Sequence, residues 1–222
     1  MSNIVAIILG AGQSSRMQGI DKVLHEINKK AIVLFSLEQF LSVKEINEII
    51  LVINKTNKTK IKNIINENIK SQNIKKIKLI MGGKRRQDSV KKAIDSAPGA
   101  AKFIIHDAAR PFVSRALIQN VVKNLQTYDA VIPTIPITDA LKKIHNNRII
   151  QNEDREQYAL AQTPQGFNSE VIREAFQKNM DKYYPDCASM ILENGTNIHS
   201  ISGEIANKKI TSREDLDEII IN

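Results

Sequence analysis

Three short segments of this 222-residue chain carry residues whose types and spacing could do chemistry. The first is Gly10-Ala11-Gly12-Gln13-Ser14-Ser15-Arg16-Met17, with Lys22 close behind. Small residues let backbone N–H groups approach a phosphate, the serines add donors, and the two cations point to a polyphosphate more than to a plain turn. It is not a Walker loop, because no Gly-Lys-Ser/Thr follows, and it lacks the third glycine of a dinucleotide fingerprint. The second is Gly82-Gly83-Lys84-Arg85-Arg86-Gln87-Asp88-Ser89, two glycines and three cations ahead of a serine expected to open a helix. Such a turn suits an anion or a base, although an ordinary loop in a basic stretch has the same composition. The third is His106-Asp107-Ala108-Ala109-Arg110-Pro111. Its Asp, set among small residues, could hold a ribose hydroxyl or Mg2+, or could brace a turn through an Asp–Arg pair. The four histidines (His25, His106, His145, His199) share no metal-ligand spacing, so zinc is not expected. Cys187 is the single cysteine, which excludes an intrachain disulfide and a thiolate metal cluster.

These loops need elements to hold them. Candidate strands are Ile4 to Leu9, Ile49 to Ile53, Ile77 to Met81, Phe103 to His106 and Ala130 to Thr134. All are nearly continuous in Ile, Val and Leu, as strands buried on both faces should be. Between them, Ile61, Ile64, Ile65 and Ile69 repeat at helical spacing, as do Leu117, Ile118, Val121, Val122 and Leu125 behind Ser114 as N-cap. A further helix begins after Ser169 with Ile172, Ala175 and Phe176 on one face, and the last opens at Thr211 with Glu214 at capping-box spacing. This alternation predicts an α/β fold, a doubly wound, mostly parallel sheet of Rossmann-like type, with ligands at the carboxyl ends of its strands. From Thr138 to Phe167 the rhythm breaks into polar–apolar alternation around Asn146-Asn147, which predicts an extended β-hairpin arm over 138–167. With no repeat and no low-complexity linker, residues 1–222 read as one domain with an arm. An isolated hairpin is marginal in water, so the arm is expected to pack on a second copy in a homodimer.

Composition narrows the class. Hydrophobic residues make up 42% and charged residues 25%, a globular balance that excludes wholesale disorder. No apolar run reaches the roughly 18 residues of a membrane span, and the run from Ile4 to Leu9 is too short, and lacks the basic leader, for a signal sequence. A cytoplasmic protein without a membrane partner is expected. The net charge of +8 is uneven: Lys55 to Lys92 holds 13 Lys or Arg against two acids, a local +11 that leaves the rest of the chain at −3. Such a stretch could draw nucleic acid or any anionic substrate, but it contains no Phe, Tyr or Trp on which bases would stack. A solvated, lysine-rich helix face accounts for it more simply, and the abundance of Lys, Ile and Asn fits a low-GC coding bias.

The loop from Leu9 to Met17 resembles the signature of sugar-phosphate nucleotidylyltransferases. With it stand His106-Asp107-Ala108-Ala109-Arg110-Pro111, Gln162-Thr163-Pro164-Gln165-Gly166-Phe167 and Asn207-Lys208-Lys209-Ile210-Thr211. In order and spacing these resemble the motifs of the 2-C-methyl-D-erythritol 4-phosphate cytidylyltransferase family, from Ile4 to about Ile220. The resemblance implies transfer of CMP from CTP to methylerythritol phosphate, a polyol phosphate, giving a CDP-alcohol and pyrophosphate in non-mevalonate isoprenoid synthesis. It implies that Ala11 and Gly12 lie against the CTP phosphates and that Arg16 and Lys22 stabilise the pentacovalent transition state. Gly83, Ser89 and Ala108 would contact cytosine and ribose. Asp107 would meet the ribose or a metal, Mg2+ or another hard divalent cation carried mostly by the CTP phosphates. Arg155, reaching from the arm of a partner subunit, and Lys209 would position the methylerythritol phosphate, with Thr163 and Arg110 as further substrate contacts. Asp21, Ala140 and Pro185 depart from the family's usual Pro, Thr and Thr. Ala140 and Pro185 lie on the acceptor side and, with Cys187, keep ribitol-5-phosphate cytidylyltransferase as the alternative reading. Ala109 and Arg86-Gln87-Asp88-Ser89-Val90 look more like the isoprenoid enzyme.

Overall fold

The computed structural model describes residues 2–12 and 21–221. In chain order its elements are β1 (Ile4–Leu9), β2 (Glu26–Ile27), β3 (Lys30–Ala31), α1 (Ile32–Leu41), β4 (Ile46–Ile53), α2 (Lys58–Asn68), α3 (Ser71–Ile74), β5 (Ile77–Met81) and α4 (Arg86–Asp95). There follow β6 (Lys102–Asp107), α5 (Arg115–Asn124), β7 (Ala130–Pro136), β8 (Lys142–His145), β9 (Arg148–Asn152), β10 (Ala159–Ala161) and β11 (Gln165–Asn168). The chain closes with α6 (Ser169–Lys178), α7 (Cys187–Glu193), β12 (His199–Ser202) and α8 (Arg213–Ile221). Short 3₁₀ turns occupy Lys22–Leu24 and Arg155–Gln157.

The apolar strand runs follow from burial on both faces. Ile4, Ala6 and Ile8 of β1 join Ile49, Leu51 and Ile53 of β4 in one layer, under Val33, Leu37 and Phe40 of α1 and Leu117, Ile118 and Val121 of α5. Val5, Ile7, Ile50 and Val52 face the other layer, under Val90 and Ala93 of α4, Ile172 and Phe176 of α6, and Met190 of α7. Alternate residues of each strand therefore serve opposite cores, and no polar face is left. The main sheet has the order β10-β7-β11-β6-β1-β4-β5, with β12 also on β7. The pairs β1–β4, β1–β6, β4–β5 and β7–β12 are parallel, whereas β11 is antiparallel to both β6 and β7, and β10 is antiparallel to β7. This is the mostly parallel α/β sheet expected. Because β6 extends one residue past the expected His106, Asp107 is the last residue of a central strand.

Three of the differences from the sequence reading have a direct physical reason. Helix α1 had little periodic signature, because Ile32 packs with Ile210 and Leu216 while Val33, Leu34, Leu37 and Phe40 pack on the sheet, leaving Glu38 and Gln39 as a narrow polar side. The last helix opens at Arg213 rather than Thr211, and its box is Ser212–Asp215. Ser212 N donates to Asp215 Oδ2 (3.0 Å) and Asp215 N to Ser212 Oγ (3.4 Å), so Glu214 is not the capping acid. The independent hairpin is confined to β8 and β9, whose residues are all exposed and whose turn places Asn146 (φ 47°) and Asn147 (φ 61°) in the left-handed region that such turns require. The remainder of 138–167 returns to the main sheet as β10 and most of β11. A Cβ on Gly166 would lie 2.6 Å from side-chain atoms of both Val121 and Leu125, which shows how closely β11 packs on α5.

Phe40 is fully buried, with its ring 5.2 Å from that of His106. Phe40→Ala is expected to lower unfolding free energy by about 3–5 kcal/mol in urea at unchanged m-value; a loss below about 1 kcal/mol would contradict this packing of α1 on the sheet.

Candidate active site

The carboxyl ends of β1, β4, β5 and β6 open onto a cleft of about 520 Å³ lined by Ala11, Gly12, Lys22, Asn54, Lys55, the turn from Gly82 to Arg86, Ser89, Asp107, Ala109 and Lys209. A second cavity of about 350 Å³ is lined by Arg110, Gln162, Thr163, Gln165, Pro185, Asp186 and Ser189. Arg86, Asp107 and Lys209 belong to both linings. The site is thus two joined cavities with a charged group between them.

Close backbone approach dictates the glycines. A Cβ on Gly82 would lie 2.6 Å from that of Ala11, so the first and second loops meet there, and one on Gly83 would lie 2.4 Å from Asp88 Cβ, where the chain doubles back into α4. Ser89 does not open that helix as expected. The helix begins at Arg86, Asp88 Oδ2 accepts from Arg85 N (3.0 Å), and Ser89 Oγ accepts from Gly83 N (2.9 Å), fixing the turn on the cleft wall.

Arg16 lies outside the described residues. Lys22 begins its 3₁₀ turn and donates from Nζ to Thr211 O (2.8 Å), at the cleft mouth. Asp21, standing where proline is usual in the resembling family, caps this turn by accepting from Val23 N (3.3 Å). Its Oδ2 accepts from Nδ2 of Asn57 (2.9 Å), which also donates to Gly10 O (3.2 Å). Asn57 is fully buried, so one amide ties the entry and the exit of the first loop together.

Asp107 sets the electrostatics. Its Oδ1 accepts from Arg86 Nε (3.1 Å) and its Oδ2 from Lys209 Nζ (2.7 Å). Burial works to raise its pKa, but Arg86 and Lys209 outweigh that and hold the carboxylate well below its usual range. Burial likewise opposes the charge on Arg86, and Asp107, with Cys187 beside it, keeps the guanidinium more basic than usual. Behind this group, His106 is fully buried, which pushes its pKa down to about 4. Its Nε2 lies 3.1 Å from Arg110 O and its Nδ1 3.0 Å from Thr163 Oγ1, while Thr163 Oγ1 accepts from Asp107 N (3.2 Å). The consistent assignment is a neutral ring donating from Nε2 and accepting from Thr163, whose hydroxyl proton therefore faces His106 and not the cavity.

Of the other expected residues, Ala11, Gly12, Gly83, Ser89 and Lys209 line the cleft, and Arg110 and Thr163 the second cavity. Ala108 does not line either: its methyl is fully buried in the core and its neighbour Ala109 forms the cleft wall. Arg155 is exposed on its 3₁₀ turn, donates to Thr138 O (2.5 Å) and lines neither cavity of its own chain. Sequence reasoning gave no role of their own to Arg86, Gln165 and Asp186, the last two joined by a 2.7 Å bond from Gln165 Nε2 to Asp186 Oδ2. Adjacent arginines gave no sign of which one turns inward; Arg85 pairs with Asp88, and Arg86 meets Asp107. Among the described residues no group of three His, Cys, Asp or Glu could cage a metal, and Asp107 is the one acid on the cleft lining. The donor set fits a hard cation delivered on a polyphosphate, with Asp107 as at most one ligand. It does not fit a resident metal.

The family described as IspD, 2-C-methyl-D-erythritol 4-phosphate cytidylyltransferase, matches residues 4–221. The protein of that name from Dictyoglomus thermophilum is 37% identical, over 97% of this chain and 94% of its own. The one from Clostridium tetani is also 37% identical, over 97% of this chain and 88% of its own. The crystal structure of 4-diphosphocytidyl-2C-methyl-D-erythritol synthase from Anaerococcus prevotii superposes with a TM-score of 0.87 at 27% identity, covering 99% of this chain and 95% of that one.

The buried His106 makes stability depend on pH. Its folded pKa of about 4 lies below the usual value near 6.5, so the unfolded chain takes up the proton first as pH falls. Its contribution is complete above about pH 6.5 and falls by about 3 kcal/mol by pH 4. In urea unfolding, His106→Gln is expected to be less stable than the parent at pH 7, with the gap narrowing towards pH 4; a gap independent of pH would mean that the ring takes up its proton as readily in the fold as in the unfolded chain.

Proposed function

From its membership of the 2-C-methyl-D-erythritol 4-phosphate cytidylyltransferase family, to which the chain belongs, we propose how the two joined cavities divide the reaction. The protein transfers CMP from CTP to 2-C-methyl-D-erythritol 4-phosphate, giving the CDP-alcohol and pyrophosphate in isoprenoid synthesis. The cleft seats CTP, with its phosphates on Ala11, Gly12 and Lys22 and its nucleoside along Gly83 and Ser89. The second cavity seats methylerythritol phosphate near Arg110 and Lys209. The observation that supports this division is the Arg86–Asp107–Lys209 group common to both linings. Ribitol phosphate as acceptor, and nucleic acid as partner of the basic Lys55–Lys92 stretch, are not favoured beside the family match.

The acceptor's phosphate oxygen attacks the α-phosphorus of CTP; a P–O bond forms there as the bond to the bridging oxygen breaks, and pyrophosphate leaves. The nucleophile is already ionised near neutral pH, so no side chain has to remove a proton. The difficulty is bringing two polyanions together, and the residues answer it by position and charge. Lys22 and Arg16 neutralise the pentacovalent transition state, while Lys209 places the acceptor phosphate. Asp107 holds Arg86 and Lys209 in place and faces the ribose. Mg2+ arriving on the CTP phosphates would supply further neutralisation, with Asp107 the residue placed to contact it.

The arm belongs to a homodimer in this reading. Ile144 and Ile149 pair across it and are 65% and 66% exposed, a face that a second copy would cover. Arg155, outside both cavities of its own chain, then serves the site of the other subunit. Among the described residues no helix is long and apolar enough to cross a membrane.

Pyrophosphate release with CTP and Mg2+ is expected with methylerythritol phosphate and not with ribitol 5-phosphate; the reverse would assign a different acceptor. Lys22→Ala should lower kcat by about 10²-fold or more with the fold intact, and a near-normal rate would remove Lys22 from the mechanism. Mixing inactive Lys22→Ala and Arg155→Ala subunits tests the exchanged arms. If Arg155 acts across a two-fold dimer, half the dimers are mixed and each has one complete site, restoring about a quarter of parental activity. No recovery would place Arg155 in its own subunit's site.

A further inference from the structure

The acceptor side of the site is bounded by residues 179–186, a segment between α6 and α7 in neither helix nor strand. Its backbone groups have no sheet partners, yet it delivers Pro185 and Asp186 to the wall of the second cavity. What holds it is the amide of Gln87, from the first turn of α4. Gln87 is 5% exposed and lines neither cavity. Its Nε2 donates to Lys182 O (2.7 Å) and Met180 O (3.4 Å), and its Oε1 accepts from Tyr184 N (3.2 Å). Arg85 Nη2 adds a bond to Met180 O (3.2 Å). Beyond the clamp, Asp186 Oδ1 accepts from Ser189 N (2.8 Å) and caps α7, while Asp186 Oδ2 accepts from Gln165. The same turn of α4 places Arg86 between the cavities.

We infer that Gln87 is a positioning residue for the acceptor: it fixes the 180–184 backbone so that Pro185 and Asp186 form a wall the acceptor can bind, without touching either substrate. This rests on the reading that the second cavity seats methylerythritol phosphate. A fully engaged buried amide is suited to the task, because each of its bonds is directional and an apolar replacement takes the Gln87 partner from Lys182 O and Tyr184 N, leaving Met180 O to Arg85 alone. The nucleotide cleft depends on other atoms of α4, notably Ser89 Oγ on Gly83 N, and these are unaffected by the loss of the amide.

The test is steady-state kinetics of Gln87→Leu, which keeps the bulk and removes every bond, with hydrogen exchange at the Tyr184 amide. The expected result is a KM for methylerythritol phosphate raised about tenfold, a KM for CTP within about twofold, and faster exchange at Tyr184 with core strands still protected. Gln87→Asn, one methylene too short to make all three bonds, should move the same KM in the same direction by less, and serves if the leucine variant does not fold. An unchanged acceptor KM despite faster exchange, or equal rises in both KM values, overturns the inference. Arg110→Met separates this from failure of the underlying reading. If Arg110→Met raises the acceptor KM and Gln87→Leu does not, only the positioning role falls; if neither does, the second cavity is not the acceptor site and both fall.

Discussion

A carboxylate cannot be buried at the end of a central strand unless cations are buried with it, and Asp107 is 8% exposed. The two cations come from opposite ends of the chain's path around the site: Arg86 from α4, and Lys209 from the segment that leads into α8. Meeting Asp107 fixes both against β6. The same arrangement leaves cationic groups in place before any substrate arrives, so an incoming polyanion meets charge that is already oriented. For a reaction that joins two phosphates, this is the main electrostatic requirement.

Around this group, buried side-chain hydrogen bonds do the work that regular structure does elsewhere. Asn57 ties Gly10 to Asp21, and Gln87 clamps the segment from Met180 to Tyr184. Asn207 Nδ2 donates to Thr163 O (2.8 Å), and Thr163 in turn connects Asp107 to His106. Each of these residues joins a loop to an element distant in sequence. The segment from Met180 to Tyr184 therefore keeps an irregular backbone that is nonetheless held at Met180, Lys182 and Tyr184.

The sheet was legible because its strands are apolar on both faces, and a run such as Ile4 to Leu9 has few other meanings. Helix α1 was hidden by that same double burial, and the arm's limits were blurred because polar–apolar alternation is shared by an exposed hairpin and by β10 and β11. In the site, Lys22, Asp107 and Lys209 stood in motifs whose chemistry is distinctive. What motifs could not convey was direction. Between Arg85 and Arg86, or Ala108 and Ala109, composition is equal, and only the local path of the chain decides which one faces the cleft. Thr163 shows the same limit, being at the expected place with its proton turned towards His106.

The central claim is that one charged group serves both cavities, and Lys209 is its most accessible member. Steady-state kinetics of Lys209→Met, with CTP and methylerythritol phosphate varied in turn, tests it most directly. The account expects kcat to fall by about 10²-fold and both KM values to rise while the fold persists. Turnover within a few-fold of the parent, or a rise in one KM alone, would show that the two cavities are not joined through this group.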